Sequence, residues 1–234
     1  MRIIMISDTH GQHKFMRHPL PDGDVLIHAG DCTNVGTQDN VREFVEWFQN
    51  LKGFDSKIFI AGNHDWAFER KPAWLINYIN DENLSQSDVV YLEDSEFIIE
   101  DPEFSRPIKI YGSPWQPNFM NWAFNVPRDE LHKYWEKIPK DVDVLITHGP
   151  AFGILDKVEG INVPLGCESL YDHIIKIRPK IHISGHIHSG RGLIEKDGIL
   201  HINASIATER YEMINKPIVI DFDFNTNKWN LVDI

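Results

Sequence analysis

Five short apolar runs, each ending in a Gly-flanked cluster of Asp, Asn or His, limit what this chain can fold into more than any other feature. Ile3-Ile4-Met5-Ile6 runs into Ser7-Asp8-Thr9-His10-Gly11, and Val25-Leu26-Ile27-His28-Ala29 runs into Gly30-Asp31. Ile58-Phe59-Ile60-Ala61 leads to Gly62-Asn63-His64-Asp65. Val144-Leu145-Ile146 precedes Thr147-His148-Gly149-Pro150, and Ile181-His182-Ile183 precedes Ser184-Gly185-His186-Ile187-His188. Runs this short, apolar and rich in β-branched residues have the pattern of strands buried on both faces of a parallel sheet. Between the second and third runs, residues 39–51 carry Val41, Phe44, Val45 and Phe48 at helical spacing, which predicts a crossover helix. In a strand-helix-strand unit the strand carboxyl ends open on one edge, where ligands collect. Asp31 and Asn63 are therefore expected to be neighbours in space.

A single Asp at a strand end is ordinarily a helix cap, and a lone His is ordinarily packed or solvated. The joint pattern is different. Asp8, His10, Asp31, Asn63, His148, His186 and His188 offer seven oxygen and nitrogen donors without a thiolate. That mixture suits manganese first, with iron, zinc or cobalt as the other candidates, and the absence of Cys argues against a structural zinc knot. Seven donors suffice for two divalent ions if one carboxylate bridges, and Asp31 is the expected bridge because its two oxygens can face different ions. Two ions roughly 3.5–4 Å apart form the usual clamp for in-line displacement at phosphorus.

Asp8-x-His10, Gly30-Asp31, Gly62-Asn63-His64-Asp65, Thr147-His148 and Gly185-His186-x-His188 resemble, in order, the five motif blocks of the calcineurin-like metallophosphoesterase superfamily. Ser113-Pro114-Trp115-Gln116-Pro117 and Thr147-His148-Gly149-Pro150 bring the chain nearest to its metallophosphoesterase-domain-containing subfamily, some of whose members resemble class III cyclic-nucleotide phosphodiesterases. The resemblance implies an α/β fold, a four-layer αββα sandwich of two stacked mixed sheets flanked by helices. It also implies that Asp8, His10, Asp31 and His188 hold one ion, and that Asp31, Asn63, His148 and His186 hold the other. His64 is left to stabilise developing charge or protonate the leaving oxygen. The implied reaction is dinuclear-metal-dependent hydrolysis of a small phosphodiester, a cyclic nucleotide among the candidates, by in-line attack of a metal-bridging hydroxide. The phosphoprotein phosphatases of the superfamily carry an arginine shortly after the second motif and Glu after Asn-His. Cys32-Thr33-Asn34-Val35-Gly36 and Asp65 stand here instead, which disfavours a phosphoprotein substrate. The alternatives are a phosphomonoesterase or nucleotidase, and a nucleotide-binding protein with weak residual hydrolase activity.

A length of 234 residues, 42% of them hydrophobic, fits one domain over 1–234. No stretch approaches the roughly 20 apolar residues of a membrane span, and a cleavable signal would remove part of the first motif, so a cytoplasmic enzyme is expected. A net charge of −12 disfavours long nucleic acid, which needs basic stripes. A small phosphoester or nucleotide remains acceptable beside two divalent ions, and a homodimer is left open. Cys32 and Cys167 read as reduced, partly buried thiols rather than ligands.

Residues 11–24 read as a loop, with His13 on its surface or turned to substrate. The long segment 113–128 has the length of a functional loop or lid. Its Trp115, Phe119, Asn121 and Trp122 are candidates either for a substrate wall or for an aromatic mini-core. Leu131, Tyr134, Trp135 and Ile138 predict a short amphipathic helix over 129–138, ending at Pro139. Asn203 follows another apolar run and is a further candidate for the cleft. His28, His132, His173, His182 and His201 are assigned to the structural background.

Overall fold

The computed structural model describes residues 1–79, 88–158, 160 and 163–233. Strands β1 (Arg2–Ile6), β2 (Val25–Ala29) and β3 (Ser56–Ile60) pair in parallel, as the apolar runs predict. Helix α1 (Gln38–Asn50) crosses between β2 and β3. Thr37 starts it by accepting from the Asn40 amide, and buried Lys57 closes it by donating to the Gln49 and Leu51 carbonyls. Helices α2 (Trp66–Arg70) and α3 (Ala73–Ile79) follow the third motif, the second entered through Pro72. Strand β4 (Val89–Tyr91) closes one edge of this sheet, and β13 (Ile218–Asp223) and β14 (Lys228–Leu231) extend the other antiparallel, giving the order β14-β13-β1-β2-β3-β4.

A second six-stranded mixed sheet is built from β5 (Ser95–Ile99), β6 (Ile108–Ser113), β9 (Val144–Thr147), β10 (Ile181–Ser184), β11 (Gly192–Lys196) and β12 (Ile199–Asn203), in the order β11-β12-β10-β9-β6-β5. Its four central strands are parallel. The hairpin between β11 and β12 turns through Asp197 and Gly198, both with positive φ, the geometry that favours Asp-Gly at a two-residue turn.

Alternation along each strand then fixes the layers. Ile3, Met5, Ile27 and Ile58 face Ile110, Ile146, Ile183 and Ile202 in one core shared by the sheets. The opposite residues of the first sheet, Ile4, Leu26 and Phe59, meet Val41, Phe44 and Phe48 of α1. On the far side Tyr111, Leu145 and Ile199 meet Trp135, Leu170 and Ile174, the last two from α5 (Glu168–Ile177). The four layers are helix, sheet, sheet and helix. The sheets are also stitched where β1 and β12 end, by Ser7 N to Ala204 O and Ile206 N to Ser7 O, each 3.0 Å. That stitch brings the carboxyl ends of both parallel blocks to one rim.

Two local expectations are corrected. The 129–138 helix is one turn, α4 (His132–Trp135), flanked by turns closed through Lys133 N to Glu130 O and Ile138 N to Trp135 O. His13 is neither on the surface nor turned to substrate: it sits in a 3-10 turn with its ring 4.4 Å from that of Trp47 and beside Phe44. Segment 113–128 contributes a two-residue parallel pair, β7 (Gln116–Pro117) with β8 (Asn125–Val126). No helix among the described residues is long and apolar enough to cross a membrane.

Candidate metal centre

The motif loops reach one another through backbone conformations that ordinary side chains avoid. Asp8, His10, Asp31 and His186 all adopt left-handed φ, between 46° and 66°. Each such residue costs on the order of 1 kcal/mol and persists only where its surroundings hold it. Here they do so in detail. Asp8 N donates to Gly30 O and His10 N to Asp31 O, both at 2.9 Å, which locks the first loop onto the second. His186 N donates to the Asp8 carboxylate at 3.0 Å, and Gly185 N to His148 O at 2.9 Å, which locks the fifth loop onto the first and fourth.

Glycine makes the crowding feasible. A Cβ at Gly30 would stand 2.4 Å from His148 Nδ1, one at Gly62 would stand 2.3 Å from Asp31 Oδ1, and one at Gly185 would stand 2.5 Å from Asp8 Oδ2. These positions need the missing side chain so that backbone can approach the cluster.

All seven sequence-selected donors meet at this rim. Asp8, His10 and His188 form one group with ligand atoms within 4.8 Å of one another, and Asp31, His148 and His186 form another. Asn63 Oδ1 lies 3.0 Å from His148 Nε2. Asp31 stands between the groups, with Oδ2 4.0 Å from His10 Nε2 and Oδ1 3.4 Å from His148 Nε2. His64 joins His10 and Asp31 in a third group. Cys32 points away, its Sγ toward His28 Nδ1 and the Ile60 carbonyl.

The donor set fits divalent cations on its own chemistry. His148 Nδ1 donates to Ala29 O, so the ring, once Nε2 gives up its proton, turns that lone pair toward the oxygens of Asn63 and Asp31. His188 Nδ1 likewise donates to Thr208 O, and its Nε2 lies 3.2 Å from His10 Nε2 and 3.6 Å from Asp8. With their Nδ1 protons fixed on backbone carbonyls, His148 and His188 turn Nε2 lone pairs to the oxygens of Asp31 and Asp8, an arrangement that a cation, whether a proton or a metal, stabilises.

The shifted acidities follow the same logic. Burial works against charge on His148, but the adjacent Asp31 carboxylate outweighs it and holds the imidazolium up to about 9. His188 is likewise buried, yet its bond to Asp8 carries it to about 9. Burial instead lowers His10 to about 4 and His186 to about 3, leaving both neutral. Despite burial, Asp8 and Asp31 are held below the usual carboxylate range by His188 and His148 respectively.

Other groups position the donors. Asp65 accepts from the amides of Gly62, Cys32 and Thr33 and from the Thr33 hydroxyl, tying the second and third loops together. Its burial and the charge of Asp31 raise its carboxyl to about 6. Asn203 does not face the cleft. It is buried and spends its amide on the carbonyls of Gly185 and Ile187. Tyr211, absent from the sequence reading, packs on His10 and His188. It lies in a loop without a motif, so only its position after β12 could have signalled it.

The aromatic candidates divide. Phe119 lines the cleft, its ring 5.5 Å from that of His186. Trp122 stacks behind His64 at 4.0 Å. Trp115 belongs to the core, packed on Phe124 and Tyr134 and bonded to Asp94. Asn121 is exposed and is not among the residues that line the cleft.

A metal entering through Nε2 of His148 or His188 must displace the proton that each carries at neutral pH. Manganese affinity should therefore rise with pH up to about 9 and then level off. Titration calorimetry in buffers of different ionisation enthalpy should show proton release near neutral pH; affinity independent of pH would contradict this charge assignment.

The chain matches the calcineurin-like phosphoesterase family model over residues 1–190. It is 40% identical to metallophosphoesterase domain-containing protein 1 of Homo sapiens and of Mus musculus, covering 94% of this chain and 70% of each relative. A Caenorhabditis elegans protein, T07D4.2, is 35% identical over 94% of this chain and 60% of its own length. Among solved structures, a phosphopantetheinyl hydrolase from Mycobacterium tuberculosis superposes with TM-score 0.59 at 18% identity, covering 89% of this chain and 90% of that one, a likeness of fold. Motifs, sheets and relatives agree, and the chain belongs to the calcineurin-like phosphoesterase family.

Proposed function

We propose that this metal-dependent phosphoesterase hydrolyses a small phosphodiester, with a cyclic nucleotide as the narrower candidate. Two divalent ions, manganese first among them, would be held by Asp8, His10, Asp31, Asn63, His148, His186 and His188. The observation that carries this reading is the place of Asp31, whose oxygens face His10 on one side and His148 on the other. When bound, such a pair of ions neutralises charge on the phosphoryl oxygens and acidifies the attacking water.

The chain's own part is to aim these donors and supply a proton. His64 Nδ1 bonds to Asn34 O at 2.7 Å, which leaves Nε2 as the functional atom on the cleft. Trp122 stacks on the ring, and the His64 amide donates to Asp31 Oδ1 at 2.8 Å. The third loop thus orients the second motif's carboxylate and its own imidazole together. From that place His64 can hydrogen-bond a phosphoryl oxygen or protonate the departing one. The free thiols Cys32 and Cys167 suit the reducing, cytoplasmic setting that belongs to this reading.

His64→Ala should retain both metals, measured as metal per chain by elemental analysis, while turnover falls on the order of 10²–10⁴-fold. Wild-type turnover in the variant would remove His64 from the chemistry. With manganese, a bis-aryl phosphate should be cleaved faster than the corresponding mono-aryl phosphate. A much faster monoester rate would instead make the protein a phosphomonoesterase.

A further inference from the structure

In front of the cluster lies a cavity of about 320 Å³ whose walls carry more apolar side chains than phosphate chemistry requires. Phe119 stands against His186, in one donor group. Tyr211 stands against His10 and His188, in the other. The two rings therefore flank the centre from its two ends. Pro150, Val158 and Leu165 continue the apolar wall.

Both rings are held in place although they are 44% and 46% exposed. Asn125 accepts from Phe119 N and donates to the carbonyls of Phe119 and Met120, which staples that loop. Tyr211 has a left-handed φ of 59° and is tied back by its amide to Thr208 O at 2.8 Å. Ordered aromatic surface facing a polar centre is surface arranged for a ligand.

Charge narrows the ligand. Arg128 is the one Lys or Arg among the described residues that line the cavity. Its guanidinium is already spent on the carbonyls of Leu165 and Gly166 and on Glu168. The other charged group on the wall beyond the donor cluster is Glu209, which would repel a second phosphate. Among the described residues on these walls, no Lys or Arg is left unpaired to hold an anion away from the metal centre.

We infer that Phe119 and Tyr211 are specificity-determining residues that clamp an aromatic or apolar substituent of a substrate bearing a single phosphate. This rests on the phosphodiesterase reading above and narrows it. The ester group that remains after cleavage, or the one that leaves, is gripped by ring contact and apolar burial. The phosphate alone answers to the metal centre.

The test uses the manganese-loaded protein and two readouts. Bis(4-nitrophenyl) phosphate and methyl 4-nitrophenyl phosphate share a leaving group and a metal centre, so the change in their kcat/KM ratio between wild type and variant isolates contact with the second substituent from its electronic effect on phosphorus. Diphenyl and dimethyl phosphate, whose leaving groups are far poorer than 4-nitrophenolate, give the same contrast in binding, measured by calorimetry before appreciable turnover. Both ratios should favour the aryl member by about tenfold or more, from two aromatic contacts plus burial. Phe119→Ala and Tyr211→Ala should each shrink the ratios severalfold, whereas Tyr211→Phe, which keeps the ring, should preserve them. Equal binding of diphenyl and dimethyl phosphate, or ratios unchanged in both alanine variants, would overturn the clamp even if turnover is fast. Preferential diphenyl phosphate binding that both alanine variants lose, with neither ester hydrolysed, would uphold the clamp and defeat the hydrolase reading instead.

Discussion

Asp8, Asp31 and the imidazoles of His10 and His148 are buried, those of His186 and His188 are partly buried at the cavity wall, and their ligand atoms turn toward one another. Such a group repels itself unless positive charge is supplied, and without metal that charge is the proton on His148 and His188. The rest of the structure keeps this arrangement from relaxing. Left-handed Asp8, His10, Asp31 and His186, the glycines beneath them and the backbone bonds between loops each raise the cost of moving apart. A site stiffened in this way is ready for cations before they arrive, which is how affinity is gained without ordering the loops on binding.

The stiffness is inherited from the sheets. Each motif follows a strand that is buried on both faces at least from its second residue onward, and the stitch between Ser7 and the chain after β12 sets the two rims edge to edge. His28 and His182 show how polar residues fit within those strands: each bonds to a threonine, Thr9 and Thr147, lying beside a residue of the Asp-His cluster. Burial keeps both rings neutral. These threonine-histidine pairs brace the first and fourth loops from behind.

Much of this was legible in the chain alone because double-sided burial and strand-end polarity are local properties. The runs before Asp31, Asn63, His148 and His186 mark strands, and strand-helix-strand geometry gives Asp31 and Asn63 a shared edge, whereas the stacking of the two sheets that adds His148 and His186 to that rim was implied by the family resemblance and not by periodicity. What was illegible depends on distant partners. His13 is buried by Trp47, one helix away, and Trp115 by Phe124, Tyr134 and Asp94. Tyr211 reaches the centre through a loop without a motif. Between Pro127 and Pro139 the 129–138 helix shrinks to a single α-turn because bonds spaced three residues apart take over on either side of it, Lys133 N to Glu130 O before and Lys137 N to Tyr134 O and Ile138 N to Trp135 O after, and the segment still buries Leu131, Trp135 and Ile138.

The central claim is that one rim holds two cations with Asp31 shared between them, and anomalous diffraction from crystals soaked in manganese tests it most directly. Two peaks about 4 Å apart, both in contact with Asp31 and divided between the Asp8-His10-His188 and Asn63-His148-His186 sides, are the expected result. A single peak at saturating manganese, or an Asp31 carboxylate touching one ion alone, would contradict it.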